Sequence, residues 1–490
     1  MITEINKFGE FKHKVKPMDH QAQWLEHSWK MPAFALFWEM GCAKTKVMLD
    51  TAAKLFLAGE IDGVLVLSDN GAYRNWADYE LPIHMMDGIP VRVGCYASTM
   101  KAKERHAVNQ LLVAQDDVLD FLVMNIEGFA GDKAPIFAEA FLESHYCLWI
   151  IDESTSIKTI TAKRTQKILE LKDKAPYRRI LTGTPVTNGP MDLFAQFAFL
   201  GDNLLGHQSF VSFQAEYAIR ILATGHGMRG HYQTIGYKGL DKLSKIIKPC
   251  SSRLLKTDCL NLPDKLYKVR YVEHTPEQSK IYNEIKSIAV AEVDRGLVTV
   301  TSALSTLGKL HQINCGHIMR DDGTKANIPS NRTKEMIQLL KQIHEGGKCI
   351  IWACFVRDIE LICAALTEEY GKDSWVTYTG ATPQHERPKN IDRWRTTTAC
   401  RWFVSNQATG GKGITLIEAS HAVYYSNTFS LEDRLQSEDR NHRKGQTSAC
   451  TIVDLVTQGT VDVKIVKALK EKKDLASEIL DSYQELLMAY

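Results

Sequence analysis

Short apolar runs recur along the chain, and stretches with helical spacing of their apolar residues separate them. In the first part of the chain these runs occupy residues 63–69, 121–125, 147–153 and 178–185. After a gap they return at residues 348–355, 375–380, 401–406, 421–427 and 449–456. A run without polar alternation is typical of a strand that is buried on both faces, as in a parallel sheet. The pattern therefore predicts an α/β fold with two RecA-like parallel-sheet lobes and helical insertions between them.

The region between the two groups of runs lacks this strand rhythm. From about residue 206 to residue 320 the apolar residues follow helical spacing instead, as they do in 279–296. We therefore expect an N-terminal ATP-binding lobe at 1–205, helical and irregular insertions with the lobe connection at 206–330, and a C-terminal lobe at 331–490. The last 30 or so residues carry a helical pattern and predict that terminal helices close this second lobe.

Composition indicates a globular protein but does not identify its partners. The chain has 490 residues, of which 44% are hydrophobic and 24% are charged, so it can bury more than one core. Its 60 Lys and Arg balance 58 Asp and Glu, so a nucleic acid would have to be held by a local groove and not by a basic tail.

The sequence also predicts the compartment. No apolar run approaches the roughly 18 residues that span a bilayer, and the N-terminal segment lacks an apolar signal core. The 11 cysteines are scattered without a CxxC pair, which suits reduced thiols. We expect no membrane contact and a cytoplasmic location, in a bacterium or a virus-infected host, or a nuclear one in a eukaryote.

The stretch WEMGCAKTK, residues 38–46, has the chemistry of a phosphate-binding loop. Such a loop needs a flexible backbone, a lysine for the β and γ phosphates, and a hydroxyl for magnesium. Lys44 and Thr45 supply the last two, and an alanine stands where the pattern has glycine before the lysine. The expected nucleotide contacts of this loop are Gly41, Cys42, Ala43, Lys44 and Thr45. Taken alone, the stretch also fits the start of a helix with a surface lysine.

Two acids end the apolar run LWIIDEST. Asp152 could hold magnesium together with Thr45, while Glu153 orients or deprotonates the attacking water. Adjacent acids at a strand end also occur as a solvated edge or a helix cap.

Two further stretches follow, LTGTPVTN at 181–188 and QSEDRNHRKGQT at 436–447. In the second, Arg440 and Arg443 are three residues apart and are expected to share one helix face. Arginines supplied from a second lobe can raise phosphoryl-transfer rates by about 10³ to 10⁵. A charged, solvated helix is the alternative for this segment.

In this order, the four stretches resemble the Swi/Snf-type ATPases, the double-stranded-DNA translocases of helicase superfamily two, over nearly the whole chain. The segment KPMDHQAQWLEHSW places Gln21 like the family's adenine-reading glutamine, and WEMGCAKT is similar to DEMGLGKT, with departures at Trp38 and Ala43. DESTSIKT stands where the family has DEAHxIKN, so Thr155 replaces the histidine.

The resemblance continues on both sides of the connection. The stretch VLVLSDNGAYRNWADYE matches an LVVxP…NW…E pattern, and SSRLLKTDCLNLPDK is similar to RRxKxDVxxxLPxK. The most specific match is the stretch 404–447, which begins VSNQATGGKGITLIEAS and ends QSEDRNHRKGQT. Between these two segments, at the end of HAVYYSN, Asn427 replaces the family's aspartate. The residues that the resemblance implies for nucleic acid are Asn75, Trp76 and Thr184, and those that it adds for the nucleotide are Gly411 and Gly413.

The resemblance implies an enzyme that uses ATP and Mg²⁺ at a cleft between two lobes and moves along duplex DNA without separating its strands. Glu153 would activate water, and Gln436, Arg440 and Arg443 would complete the catalytic set. Contact through phosphates makes binding sequence-tolerant and salt-sensitive. The compact chain favours a bacterial or viral version. Two alternatives stay open: a strand-separating DNA or RNA helicase of superfamily two, and a nucleotide-binding scaffold without hydrolysis, for which Ala43 and Thr155 are the departures.

A group of His and Cys residues, LHQINCGHIM, suggests a metal site at first sight. The spacing of His311, Cys315 and His317 does not fit a zinc finger, and the stretch is similar to the family's LRQICNHP helix. We expect these residues to be structural.

Overall fold

The computed structural model describes residues 8–97, 99–223, 231–294, 300–320, 322–344, 346–383, 385–411 and 414–481. Contacts divide these residues into two compact units. The first unit consists mainly of Met1–Ile219 and Thr234–Asn261, and the second mainly of Leu262–Lys473. This division falls inside the segment 206–330 that we expected to connect two lobes, and the predicted domain boundaries stay a prediction.

Seventeen strands lie in the described residues. In chain order they are β1 Ala33–Trp38, β2 Gly63–Ser68, β3 Val91–Tyr96, β4 Leu119–Asn125, β5 Cys147–Asp152, β6 Tyr177–Leu181, β7 Ala218–Ala223, β8 His231–Tyr237, β9 Ser251–Leu254, β10 Lys265–Tyr271, β11 His317–Met319, β12 Lys325–Asn327, β13 Lys348–Ala353, β14 Trp375–Tyr378, β15 Trp402–Asn406, β16 Ala419–Tyr424 and β17 Cys450–Val456.

The α-helices alternate with the strands of both main sheets. In chain order they are α1 Asp19–Ser28, α2 Lys44–Leu57, α3 Tyr73–Asn75, α4 Leu81–His84, α5 Ala102–Gln110, α6 Lys133–Ser144, α7 Lys163–Leu171, α8 Asp192–Leu200, α9 Phe210–Tyr217, α10 Leu240–Ile247, α11 Lys256–Cys259, α12 Pro276–Asp294, α13 Val300–Asn314, α14 Arg332–Lys341, α15 Val356–Tyr370, α16 Arg387–Thr396, α17 Gln407–Gly410, α18 Leu431–Glu438 and α19 Val461–Asp481. No helix of the described residues is both long and apolar enough to span a membrane.

The first unit is built on a seven-stranded sheet with the order β3-β4-β2-β5-β6-β1-β9. All of its paired strands are parallel, and the central strands are buried along their length, as their continuous apolar runs predict. Because parallel strands end at the same edge, the segments after β1, β2, β5 and β6 gather there. This edge carries the candidate site.

The second unit is built on a six-stranded sheet with the order β10-β17-β16-β13-β15-β14, and its strand pairs are also parallel. Two separate hydrophobic clusters cover its faces, one around Trp402 and Ile351 and the other around Trp394 and Phe403. The prediction of two parallel-sheet α/β lobes is confirmed.

Five strands of the described residues, β7 to β11, lie in the segment 206–320, where the sequence showed no strand rhythm, and two of them join the main sheets. Ser251–Leu254 forms an edge strand of the first sheet beside β1, and Lys265–Tyr271 forms an edge strand of the second beside β17. The first is short and half polar, and the second is exposed at most of its positions. Neither carries the continuous apolar run of a central strand, which is why the sequence pattern indicated only helical and irregular structure here.

Candidate nucleotide-binding site

The segment between β1 and α2 forms a loop with a left-handed backbone at two positions. Gly41 has φ +86°, and Ala43 has φ +56° and ψ +50° directly before the first residue of α2. A glycine adopts this conformation freely, whereas an alanine is strained by roughly 1 kcal/mol. Ala43 therefore adopts a backbone conformation that favours glycine, and glycine is the residue at this position of the family's stretch DEMGLGKT. The loop leads into the N-terminus of a 14-residue helix, a position that favours anions.

The side chain of Lys44 contacts the backbone at the start of the loop. The Lys44 ammonium donates to the carbonyl of Trp38 at 3.0 Å and to that of Glu39 at 3.5 Å, and only 9% of the residue is exposed. Thr45 follows in the first turn of α2 and is half-buried. The positive charge and the hydroxyl are thus both held at the mouth of the loop.

Gln21 is joined to the same loop from α1. Its side-chain nitrogen donates to the carbonyl of Ala43 at 2.9 Å, and its oxygen accepts from the backbone N–H of Met18 at 2.8 Å. Its neighbour His20 has a ring nitrogen 3.2 Å from the Cys42 carbonyl, and burial lowers the pKa of this imidazole. The sequence placed Gln21 by resemblance but contained no signal for His20.

Asp152 ends β5 with a buried carboxylate that has two side-chain donors. The indole N–H of Trp76 donates to its Oδ2 at 3.0 Å, and the Ser68 hydroxyl does so at 3.3 Å. Burial raises the pKa of Asp152, while the Trp76 hydrogen bond and the charge of Lys44 oppose this effect. The charge of Lys44 thus acts on the carboxylate of Asp152 and opposes the rise of its pKa.

Trp76 differs from its expected place at a nucleic-acid surface. It is 2% exposed and begins a π-helical turn at Trp76–Glu80, which directs its ring into the core beside Asp152. A buried indole does not present a surface to DNA in this structure, so the residue instead supports the carboxylate. Asn75 and Thr184 are half-buried, and their contact with nucleic acid stays a prediction.

The LTGTP segment connects the acids with the loop. The Thr182 hydroxyl donates to Glu153 Oε2 at 3.0 Å and accepts from the backbone N–H of Thr184 at 3.1 Å. A Cβ atom on Gly183 would lie 3.1 Å from the backbone nitrogen of Met40, so glycine allows this close approach to the loop without a shift of its backbone. Three of the predicted stretches therefore meet at the carboxyl edge of the first sheet.

In the second unit, α18 ends at Glu438, before the two arginines. The prediction that Arg440 and Arg443 share a helix face is wrong, because the chain turns after Asp439. Their side chains nevertheless converge. Arg440 Nη1 donates to the Ile414 carbonyl at 3.0 Å, and Arg443 Nη1 lies 3.4 Å from the same oxygen and donates to the Thr415 hydroxyl at 2.9 Å.

The other predicted residues of this unit surround that convergence. Gln436 is 1% exposed on α18, and its backbone carbonyl accepts from Arg440 Nε at 2.9 Å. A side chain on Gly411 would lie 2.3 Å from the Gln407 carbonyl, so this glycine is required for packing. Gly413 lies outside the described residues.

Two buried polar networks that the sequence did not reveal hold this region. The side-chain nitrogen of Gln446 donates to the carbonyls of Ile417 and Ala419 at 3.0 and 3.1 Å. These bonds tie the segment that follows the two arginines to the start of β16 and the segment before it. Asn427, where the resembling pattern has aspartate, donates to Asp454 at 2.8 Å and accepts from Arg434 at 2.7 Å. An amide suits this position because its nitrogen can donate to the aspartate while its oxygen accepts from the arginine.

The His and Cys group of LHQINCGHIM has structural partners. His317 Nε2 lies 2.8 Å from Asp358 Oδ1, and His311 Nε2 lies 3.9 Å from Asp462 Oδ1. Burial raises the pKa of the Cys315 thiol well above its ordinary value, which disfavours the thiolate that a metal requires.

Two parallel α/β sheets, one of which carries a glycine-containing loop before a helix and acids at its strand ends, define a two-lobed nucleotide-binding protein. The family model described as SNF2-related domain matches residues 19–319, and the model described as helicase conserved C-terminal domain matches residues 331–445. The chain belongs to the SNF2-related family.

Curated relatives are identical to this chain at about a quarter of the aligned positions. The "DNA annealing helicase and endonuclease ZRANB3" of Mus musculus is 24% identical over 365 residues, which cover 74% of this chain and 32% of the relative. The "SWI/SNF-related matrix-associated actin-dependent regulator of chromatin subfamily A member 1" of Mus musculus is 25% identical over 463 residues, which cover 90% of this chain and 41% of the relative. The chain thus spans less than half the length of these relatives.

A solved structure described as "Sulfolobus solfataricus SWI2/SNF2 ATPase core in complex with dsDNA" is 23% identical to the chain. The alignment covers 96% of this chain and 94% of that chain, with a TM-score of 0.42.

Proposed function

We propose that the chain is an ATP- and Mg²⁺-dependent translocase on double-stranded DNA. The observation that supports this most is the meeting of three sequence stretches at one sheet edge. The charge of Lys44 opposes the rise in the pKa of Asp152, and the Thr182 hydroxyl donates a hydrogen bond to Glu153. Gly183 lies close to the backbone of the loop. Membership of the SNF2-related family supports the same activity.

In the proposed site, the loop and the N-terminus of α2 bind the phosphates of ATP, and Lys44 exchanges its carbonyl partners for phosphate oxygens. Gln21 lies beside the loop and would recognise adenine through its amide group. Thr45 and Asp152 offer only oxygen ligands, the type that magnesium prefers, so these residues fit the ion. When bound, magnesium neutralises phosphate charge and orients the phosphates for attack.

Glu153 would accept the proton of the attacking water. The Thr182 hydroxyl fixes one of its carboxylate oxygens, which orients the group before water arrives. Arg440 and Arg443 would stabilise the charge that develops on the transferred phosphoryl group. Gln436 supports Arg440 through its carbonyl and so sets the position of that guanidinium.

Duplex DNA is the proposed polymer. The relative ZRANB3 is named as a DNA annealing helicase, which favours DNA over RNA as the partner. Asn75 and Thr184 are the proposed contacts, made to the phosphate backbone and therefore independent of base sequence. We propose movement along the duplex without separation of its strands.

The test is steady-state ATP turnover without nucleic acid and with duplex DNA, single-stranded DNA or RNA, each at two salt concentrations. We expect duplex DNA to stimulate turnover severalfold, less so at the higher salt concentration, because phosphate contacts weaken as salt rises. Lys44→Ala should abolish turnover. Lys54→Ala is the matched control, because Lys54 lies on the same helix and pairs with the exposed Glu26.

The alternatives predict different results. Stimulation by single strands or RNA above that by duplex DNA would favour a strand-separating helicase. Tight ATP binding without turnover on any nucleic acid would favour a nucleotide-binding scaffold, and Thr155, which is buried where the resembling pattern has histidine, would then be the first residue to replace.

A further inference from the structure

A thiol of the phosphate-binding loop lies against a thiol of α11. Cys42 Sγ and Cys259 Sγ are 3.4 Å apart although the residues are 217 positions apart in sequence. Cys42 lies in the loop between Gly41 and Ala43 and is fully buried, whereas Cys259 ends α11 and is half-buried. No disulfide joins cysteines in the part of the chain that the structure describes.

The backbone around the two thiols is already fixed by neighbouring hydrogen bonds. The N–H of Glu39 donates to the Leu254 carbonyl at 2.9 Å, and the N–H of Lys256 donates to the Glu39 carboxylate at 2.8 Å. A disulfide has a sulfur–sulfur bond of about 2.05 Å, so the two sulfurs would have to approach by about 1.4 Å. Because the loop and α11 are held together on this side, side-chain rotation can supply much of that approach.

Both thiols stand where the resembling patterns have apolar residues. DEMGLGKT has leucine at the position of Cys42, and RRxKxDVxxxLPxK has valine at the position of Cys259. A single buried cysteine commonly serves as a small apolar residue. Two such replacements in direct contact, one of them within the loop itself, create a dithiol.

We propose that Cys42 and Cys259 form a reversible disulfide when the protein meets a peroxide, and that this bond weakens nucleotide binding by tying the loop to α11. The second half of this proposal rests on the proposed function. The bond would attach to the loop between its two left-handed residues, Gly41 and Ala43. It would thereby restrict the backbone that has to adjust around the phosphates.

The chemistry balances with hydrogen peroxide as the oxidant. The partly exposed Cys259 thiol first loses its proton to the solvent, and the thiolate attacks one peroxide oxygen. The O–O bond breaks to give a sulfenic acid and hydroxide, and the hydroxide takes up a proton from the solvent to form water. The Cys42 sulfur then attacks the sulfenic sulfur, the S–S bond forms, and the S–O bond breaks with loss of a second water. Two thiols lose two electrons, and the peroxide gains them.

The environment predicts a slow reaction. Burial raises the pKa of both thiols above the ordinary value, so little thiolate is present at neutral pH. Oxidation should therefore become faster as the pH rises, and it should require a sustained exposure to the oxidant.

The experiment uses the full chain, treated with hydrogen peroxide and digested under non-reducing conditions. Peptide mass spectrometry identifies the linked pair, and titration calorimetry measures the affinity for MgADP before and after oxidation. We expect a Cys42–Cys259 cross-linked peptide and an affinity weakened by about tenfold, equivalent to about 1.4 kcal/mol. Dithiothreitol should restore the affinity.

Two variants separate this bond from general oxidation. Cys259→Val should bind MgADP normally and keep its affinity in peroxide. Cys250→Ala is the matched control, because Cys250 is also half-buried in the first unit and donates to a backbone carbonyl, that of Ile247, as Cys259 does to that of Leu255. In peroxide this variant should lose affinity as the wild type does.

Three results would overturn the proposal: oxidation of other cysteines without the cross-linked peptide, a cross-linked peptide with unchanged MgADP affinity, or equal loss of affinity in Cys259→Val. A reduced chain that binds MgADP but hydrolyses no ATP on duplex DNA would contradict only the translocase function. A reduced chain that does not bind MgADP would contradict both.

Discussion

At the scale of single residues, Ala43 shows how a departure from a motif can keep the geometry of that motif. It has φ +56° in the position where the resembling pattern has glycine, directly before Lys44. The methyl group does not prevent this backbone conformation, but it makes the conformation less favourable.

Replacing this alanine should therefore stabilise the first unit. Ala43→Gly removes the left-handed strain and should raise the free energy of unfolding by about 1 kcal/mol, less the entropic cost of glycine. Chemical denaturation measures this difference. Ala58→Gly is the control, because Ala58 is exposed at the end of the same helix with φ −81° and should lose stability. Destabilisation by both substitutions would contradict the strain argument.

Trp76 supports a second prediction at this scale, which rests on the proposed function. Trp76→Phe keeps an aromatic ring beside Asp152 but removes the N–H that donates to its carboxylate. Loss of such a support to a metal ligand typically costs about 10-fold or more in metal affinity. We expect the Mg²⁺ concentration for half-maximal turnover to rise, and Mn²⁺ affinity measured by electron paramagnetic resonance to fall.

Trp149→Phe is the matched control for this substitution. Trp149 is fully buried on the same strand as Asp152, and its indole nitrogen has no hydrogen-bond partner among the described residues. An equal loss of metal affinity in both variants would show that packing, and not the Trp76 hydrogen bond, determines the effect.

At the scale of elements, Asp462 joins three helices of the second unit. It lies in the first turn of α19, accepts from Asn314 of α13 at 2.8 Å, and forms a buried ion pair with Arg332 of α14. Burial by itself raises the pKa of Asp462, but the charge of Arg332 and the hydrogen bonds outweigh it and lower the pKa below its ordinary value.

This ion pair should make the second unit sensitive to acid. Because the folded pKa is lowered, the pair stabilises the fold above the unfolded pKa of about 3.9, and this contribution is lost as the pH falls further through the folded pKa. Asp462→Asn leaves Arg332 buried without its charge partner and should cost about 3–5 kcal/mol at neutral pH. Urea denaturation at neutral and acidic pH should show that the cost shrinks as the pH falls.

Asp373→Asn provides the comparison. The side chain of Asp373 is 94% exposed and pairs with Arg393, so its replacement should change stability little at either pH. A cost for Asp462→Asn that does not depend on pH would contradict the electrostatic account.

The elements also show which features the sequence could predict. Strands buried on both faces have continuous apolar runs, and this signal predicted β2, β4, β5 and β6 of the first sheet and the central strands of the second. β1, Ala33–Trp38, carries such a run as well but was not predicted. The edge strands β9 and β10 were missed because exposure or short length removes that run. The end of α18 was missed because charged residues continue through the turn to Arg443 in a pattern that also suits a helix.

At the scale of the whole molecule, the positions of the site residues along the chain were predictable and their contacts were not. The loop lysine, the acids at a strand end and the LTGTP segment can each be recognised from short stretches of sequence. The donation of Trp76 to Asp152, the shared Ile414 carbonyl of the two arginines and the contact of Cys42 with Cys259 depend on tertiary register. Such contacts become visible only when strands distant in sequence lie side by side.

The central claim is ATP-driven movement along duplex DNA, and displacement of a third strand from a DNA triplex tests it most directly. A labelled third strand is bound to a duplex that extends beyond it, and its release is followed with and without MgATP. The account predicts release by the wild type only with MgATP, no release by Lys44→Ala, and no separation of the underlying duplex. Duplex-stimulated ATP hydrolysis without release of the third strand, or release accompanied by unwinding of the duplex, would contradict it.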